Sequence, residues 1–210
     1  MDAVTGDTHL IRDEATLEAL YGTASGGAIA KEVDYLHPHY RAMIAASPFM
    51  VLATAGPEGL DTSPRGDPAG FVHVVDDKTL LIPDRRGNNR ADSLRNIIRD
   101  PRVALLFMIP GIGETLRVNG TAMVSTDPAL INRFEYRGTF PRSVIVVTAE
   151  RVYFQCSKAL VRSELWNGEK QIPRSALPST GTILSDITGG TVGGVQYDRE
   201  YPERLRTTIY

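Results

Sequence analysis

One cysteine, Cys156, stands in the whole chain, so no intrachain disulfide and no cysteine-based zinc cluster can be built. Histidine is also scarce, four in all. The close pair His37-Pro38-His39 is broken by proline and lacks helical i, i+4 spacing, so it reads as surface histidines rather than a metal site. Neither sign of charge dominates: 23 Lys and Arg face 25 Asp and Glu, a formal net charge of −2. With a pI near 6.1 there is no global basic field, and no nucleic-acid partner is expected. Long apolar runs are missing too. The longest, Val103 to Ile109, stops at Pro110, far short of the roughly 18 residues a membrane span needs. Residues Met1 to Asp7 lack the basic and apolar regions of a signal peptide, so the expected location is cytoplasmic and no membrane partner is expected. Four motifs are absent: G-x-x-x-x-G-K-[ST], G-x-G-x-x-G between strand and helix, G-x-S-x-G and H-E-x-x-H. The usual nucleotide folds, the serine-elbow hydrolases and the zinc proteases lose their main support.

What is present is a run of short strands. In 210 residues, 42% of them hydrophobic, there is room for one domain with appendages. Strands are expected at Phe49–Ala55, Leu60–Ser63, Phe71–Val75, Thr79–Ile82, Val103–Ile109, Leu116–Val124 and Ser143–Phe154. Gly56-Pro57-Glu58-Gly59 turns the first pair into a hairpin, and turn formers crowd Pro64 to Gly70. Helices are expected over Glu14–Leu20 and Pro38–Ala46, and from about Ala91, with Ala91, Leu94, Ile97 and Ile98 as its apolar face and Asn89 as N-cap. Further helices are expected from Asp127-Pro128 towards Gly138, over Ser157–Trp166, and as one short piece near Glu200–Arg206. No strand–long helix–strand rhythm repeats. The fold class is therefore mainly β, an antiparallel barrel with covering helices.

The most informative stretch follows the strand Thr79–Ile82. Six arginines fall between Arg85 and Arg102, against Asp84, Asp92 and Asp100. Pro83-Asp84-Arg85-Arg86-Gly87-Asn88-Asn89-Arg90 is a basic loop that opens a helix. Unpaired N–H groups and the helix dipole favour an anion there, and arginine adds planar recognition of phosphate. A solvated charged turn is the plain alternative. Three other residues stand out: Arg65 in Ser63-Pro64-Arg65-Gly66-Asp67-Pro68, Arg117 on the polar face of its strand, and Trp166 at a helix end. Each has a plain alternative, a turn salt bridge, a rim charge and a core aromatic, but together they suggest one anionic, planar ligand spread across strands. Cys156 reads as a small buried residue, and Lys158 as a surface one.

Ser63-Pro64-Arg65-Gly66-Asp67, Asp84-Arg85-Arg86-Gly87-Asn88-Asn89-Arg90, Asp100-Pro101-Arg102-Val103 and Glu114-Thr115-Leu116-Arg117-Val118-Asn119-Gly120 resemble the pyridoxamine 5′-phosphate oxidase-like flavin-binding split barrels. Phe154-Gln155-Cys156-Ser157-Lys158-Ala159-Leu160-Val161-Arg162-Ser163 with Leu165-Trp166 is similar to a signature of one bacterial branch. The resemblance implies a six-stranded antiparallel Greek-key split barrel over residues 33–170, behind a polar, helical extension at 1–32. A tail at 171–210 would pack on the barrel or on a partner subunit. It implies a homodimer with FMN at the subunit interface, and a flavin-dependent oxidoreductase acting on a small molecule. Carried over by position, Thr62, Ser63, Arg65, Gly66 and Asp67 would line the flavin, and Ile82 and Pro83 would pass beneath its ring. Arg85, Asn88, Asn89 and Arg90 would serve the phosphate, Thr115 or Arg117 the ring or ribityl chain, and Trp166 would come from the partner. A flavin carrier without turnover and a reductase using the deazaflavin F420 are the alternatives. Asp67 stands where the oxidases have a phosphate-engaging lysine, and Asn88-Asn89 where they have Arg-Lys. Pyridoxamine 5′-phosphate is therefore not the expected substrate.

Overall fold

The computed structural model describes residues 9–210, so the expectation for Met1–Asp7 lies outside the described residues. The chain divides into two compact units, residues 1–32 and 33–210. In the first, α1 (Glu14–Tyr21) is capped by Asp13, whose carboxylate accepts from the Thr16 N–H at 2.8 Å. Gly22, at φ 71°, ends it in a conformation glycine adopts without strain. A second short helix, α2 (Gly26–Ala30), follows, because Ser25 accepts from the Ala28 N–H and caps it. Neither helix buries a residue.

The second unit is a seven-stranded antiparallel sheet curled around one core. It comprises β1 (Phe49–Gly56), β2 (Gly59–Gly66), β3 (His73–Val74), β4 (Thr79–Asp84), β5 (Arg102–Met108), β6 (Thr115–Ser125) and β7 (Ser143–Gln155). Their order in the sheet is β2-β1-β5-β6-β7-β4-β3. Of the seven strands expected, Phe71–Val75 is cut to the two-residue β3, which is the strand beyond the six that the resemblance implies. Alternation sets the inside: Met50 and Leu52 of β1, Val103, Leu105 and Phe107 of β5, and Leu116, Val118 and Ala122 of β6 are buried. β4 departs from alternation, since Leu80, Leu81, Ile82 and Pro83 are all buried. Leu80 and Ile82 face the barrel core, whereas Leu81 joins Phe134 and Val144 in a small outer cluster. A strand covered on both faces reads as one continuous apolar run.

Several local expectations are corrected. β2 does not turn at Pro64 but continues to Gly66, with Pro64 opposite Val51. As an edge strand paired only with β1, it tolerates proline's missing N–H. Helix α3 (Pro38–Ala46) stops at the extended Ser47, as the following proline requires. Helix α4 (Asp92–Arg99) buries Ser93 and Ile97, but Ile98 is 77% exposed because so short a helix covers the sheet with one narrow stripe. Helix α5 (Pro128–Ile131) passes into a 3₁₀ turn at Asn132–Phe134 and ends well before Gly138, which sits in the tight Tyr136–Thr139 turn. Helix α6 (Lys158–Ser163) has no side-chain cap from Ser157 and stops before Trp166, and Cys156 is exposed. The tail is far more helical than expected: α7 (Thr180–Ile187) and α8 (Gly194–Thr208) form a hairpin. Asp198 ties it, accepting from the Gly181 N–H at 2.8 Å and from the Ser179 hydroxyl.

Candidate anion-binding site

A cavity of about 1040 Å³ opens where β2, the end of β4, the loop after it, the start of α4 and the last residues of the tail meet. Its walls include Thr62, Ser63, Arg65, Gly66, Asp67, Pro83, Arg85, Asn88, Asn89 and Arg90, ten of the fourteen residues singled out from the sequence. The two strands are joined at their ends by partly buried ion pairs. Arg65 donates to Asp84 at 2.6 Å, and Arg85 Nε donates to Asp67 at 2.7 Å, with the Asp67 side chain only 2% exposed. Arg85 also donates to the Phe134 carbonyl at 2.8 Å. Arg65 Nε lies buried without an acceptor. Charged donors in such surroundings are costly to leave unmet, so a ligand acceptor beside it would be favoured.

The loop is built to offer donors. Asn89 (φ 63°) and Ala91 (φ 55°) are both left-handed, which swings the chain into α4. Asn89 was expected to cap that helix. Instead its side chain accepts from Arg142 at 3.1 Å, and Ala91 takes the cap position with nothing to offer. No side chain caps α4, and Asp92, Ser93 and Leu94 of its first turn line the cavity. Open N–H groups at a helix start, with arginines around them, are donors of the kind an anion requires. Asp92 turns to Arg90 at 2.8 Å, and Ser93 donates to Asp61 at 3.2 Å.

The other four residues lie elsewhere. Ile82 is fully buried in the barrel core and does not reach the cavity. Thr115 and Arg117 sit on β6, three strands from β2. Thr115 pairs with Gln155 at the far end of β7, whereas Asp84 pairs with Ser143 at its start; twelve residues at about 3.3 Å each separate the two pairings along the strand. Arg117 donates to the Tyr153 hydroxyl at 2.7 Å and lies over its ring. Trp166 donates to the Ile112 carbonyl at 2.8 Å, against the β5–β6 turn.

Among the cavity residues that gave no sequence signal are Arg142, Ile209 and Tyr210. The Tyr210 hydroxyl donates to Asp67 at 2.8 Å across 143 positions of chain. Burial, then the neighbouring Asp67 carboxylate, pushes its pKa up to about 12. Both oxygens of Asp67 are thus engaged, one by Arg85 and one by Tyr210. Its negative charge is neutralised inside the wall rather than presented to a ligand.

A sequence model of the family named pyridoxamine 5′-phosphate oxidase matches residues 36–156. The chain belongs to that family. No curated protein matches the sequence. Among solved structures, HupZ of Group A Streptococcus is 19% identical over 58% of this chain and 94% of its own, with a TM-score of 0.48. A Lactobacillus delbrueckii protein named for pyridoxamine 5′-phosphate oxidase is 22% identical over 58% and 99%, with a TM-score of 0.44. The FAD binding protein from Mycobacterium smegmatis is 14% identical over 59% and 97%, with a TM-score of 0.40. Likenesses at that level carry no functional weight, and the assignment rests on the family match. The matched span of this pyridoxamine 5′-phosphate oxidase family chain holds all the barrel strands and every cavity-lining residue except Ile209 and Tyr210.

Proposed function

We propose that this chain is an FMN-dependent oxidoreductase acting on a small molecule, working as a homodimer with the cofactor at the subunit interface. One observation carries the reading: a cavity with an uncapped helix start, an arginine-bearing loop and a buried, unmet Arg65 Nε–H. These donors fit a phosphate-bearing group. Asn88, Asn89, Arg90 and the first turn of α4 would hold the phosphate, and Thr62 to Gly66 would run along the ring. Bound FMN would supply the redox chemistry, and the protein would position it. Asp67, locked between Arg85 and Tyr210, is poorly placed to act as a base, so the chain's part is binding, orientation and exclusion of water.

The separation of the sequence-selected residues supports the dimer. Thr115, Arg117 and Trp166 do not reach the cavity of their own chain. A two-fold partner would bring its copies of them to the open side, and exposed Val161, Leu165 and Trp166 offer apolar surface for that contact. In this reading residues 171–210 close the barrel or the partner as a tail.

The test is a visible spectrum of the purified protein after FMN is added and the excess removed. Flavin bands at about one equivalent per chain are expected. Retention of F420 instead would keep the enzyme class with a different cofactor. A chain that retains neither is no flavoprotein, and the oxidoreductase reading falls. Replacing Arg90 and Arg117 together with alanine should weaken FMN by a few kcal/mol, since a hydrogen bond to a charged group contributes about 1.5–3.

A further inference from the structure

The tail is fastened to the barrel at one point. Residues 171–178 are all exposed, and the hydrogen bonds they make are local: Gln171 to Gly168, Ala176 to Pro173, and Arg174 to Leu177 and Pro178. Beyond them α7 and α8 pack on one another, so closely that a Cβ on Gly181 would meet the Gly194 carbonyl oxygen. Yet α8 buries none of its fifteen residues, and Val195, Tyr201 and Leu205 stay exposed. Among the described residues, the hydrogen bond and ring contacts that join residues 180–210 to the barrel belong to Tyr210. Its hydroxyl donates to Asp67 at 2.8 Å, and its ring lies 4.8 Å from Tyr136 and 5.8 Å from the Arg85 guanidinium. We propose that the α7–α8 hairpin is a hinged strap over the large cavity, latched by Tyr210 onto Asp67, and that ligand exchange waits for the latch to open. The effect on FMN rests on the functional reading above; the latch itself does not.

A segment held at one point on an exposed tether belongs to the low-stability end of a structure, from which lids are drawn. Its anchor lies on the cavity itself, since Ile209 and Tyr210 line it together with Arg65, Asp67 and Arg85. Opening leaves no charge stranded. Asp67 keeps its ion pair with Arg85 at 2.7 Å when Tyr210 leaves, and the freed hydroxyl meets water. The latch can therefore open without unfolding the wall behind it. Closure of this kind acts on rates before affinity. The contacts of Tyr210 to Asp67, Tyr136 and Arg85 lie within the protein, so they form whether the cavity is full or empty. Their free energy then cancels from the binding equilibrium and remains in both the entry and the exit rate.

The test follows FMN fluorescence in stopped flow with the full-length protein, Tyr210→Ala and Tyr210→Phe. Tyr210→Ala should raise the association and dissociation rates about ten-fold each and leave Kd within about three-fold. Tyr210→Phe, which keeps the ring and loses the hydroxyl, should fall between. A rise in dissociation alone makes Tyr210 an ordinary ligand contact and overturns the latch, as do two unchanged rates. A second measurement needs no cofactor. Spin labels on Leu60→Cys and Val195→Cys, both exposed positions, in a Cys156→Ser background report the distance from barrel to hairpin. One narrow distance is expected in the parent and a broad distribution with Tyr210→Ala; the same distribution in both overturns the proposal. If FMN does not bind at all, the functional reading fails separately, and the label distances decide the latch.

Discussion

Asp67 and Tyr210 have to be read together. As a residue in a basic loop region, Asp67 suggests repulsion of any phosphate, yet the fold assigns one oxygen to Arg85 and the other to Tyr210. The tyrosine's raised pKa follows from that burial, and the sign of its effect is clear. Its contribution to stability is complete below the ordinary value of 10.0 and is lost as pH rises towards about 12. In an ultraviolet titration Tyr210 should ionise last of the tyrosines, and Tyr210→Phe should delete that final step. A final high-pH step that survives the substitution would place Tyr210 outside this contact. Gly120 is a different residue-scale case. It sits at the β6–β7 bulge, where a Cβ would overlap the Thr148 carbonyl oxygen. Gly120→Ala should cost about 3 kcal/mol, since backbone on both sides leaves little room to adjust. Equilibrium denaturation would measure it.

At the scale of elements, α4 shows what local sequence can and cannot say. The helix, its basic loop and its role as a cover were legible, because arginines, asparagines and apolar spacing are local signals. The cap was not. Asn89 looks like a cap by type, but the loop's left-handed turns carry its side chain to Arg142, which lies beyond β6 in the chain. Ala91 meanwhile bears a Cβ in a left-handed conformation. Ala91→Gly should stabilise the protein by about 0.5–1 kcal/mol, the relief of that strain less glycine's entropy. The tail helices were nearly illegible for a related reason. Glycine, threonine and proline, including Pro202 within α8, speak against helix, and the pairing of α7 with α8 overrides them. Asp198 holds that pair, and hydrogen bonds from Ser179 and Gly181 keep its carboxyl below its ordinary 3.8. Its support is therefore present above that value and lost as pH falls through the depressed one. Amide protection factors across residues 179–208, corrected for the intrinsic rate at each pH, should fall in Asp198→Ala, and in the parent protein on acidification. Equal protection in both would show that the hairpin stands without it.

At the scale of the whole molecule, the fold divides the sequence-selected residues between two places. Ten sequence-selected residues meet in the cavity, while Thr115, Arg117 and Trp166 gather about the β5–β6 turn and the far end of β7. The homodimer reading gives a mass of twice 23.0 kDa for the flavin-loaded species in light scattering. It also gives a weaker FMN affinity for Trp166→Ala, although Trp166 does not line its own chain's cavity. A loaded species of 23.0 kDa would remove the shared site.

The amino-acid order alone determined the β-rich class, most strand positions, the hairpin of β1 and β2, and the basic loop before α4. Each depends on alternation, turn residues or charge within a few neighbours, which short-range sterics and solvation dictate. Only the tertiary structure decided that Ile82 belongs to the core, that Asp67 is neutralised, and that Tyr210 forms a wall of the cavity. Those outcomes depend on which strands meet and in what register. Register is settled by burying both faces of β4 and closing the barrel, a sum over residues far apart in the chain.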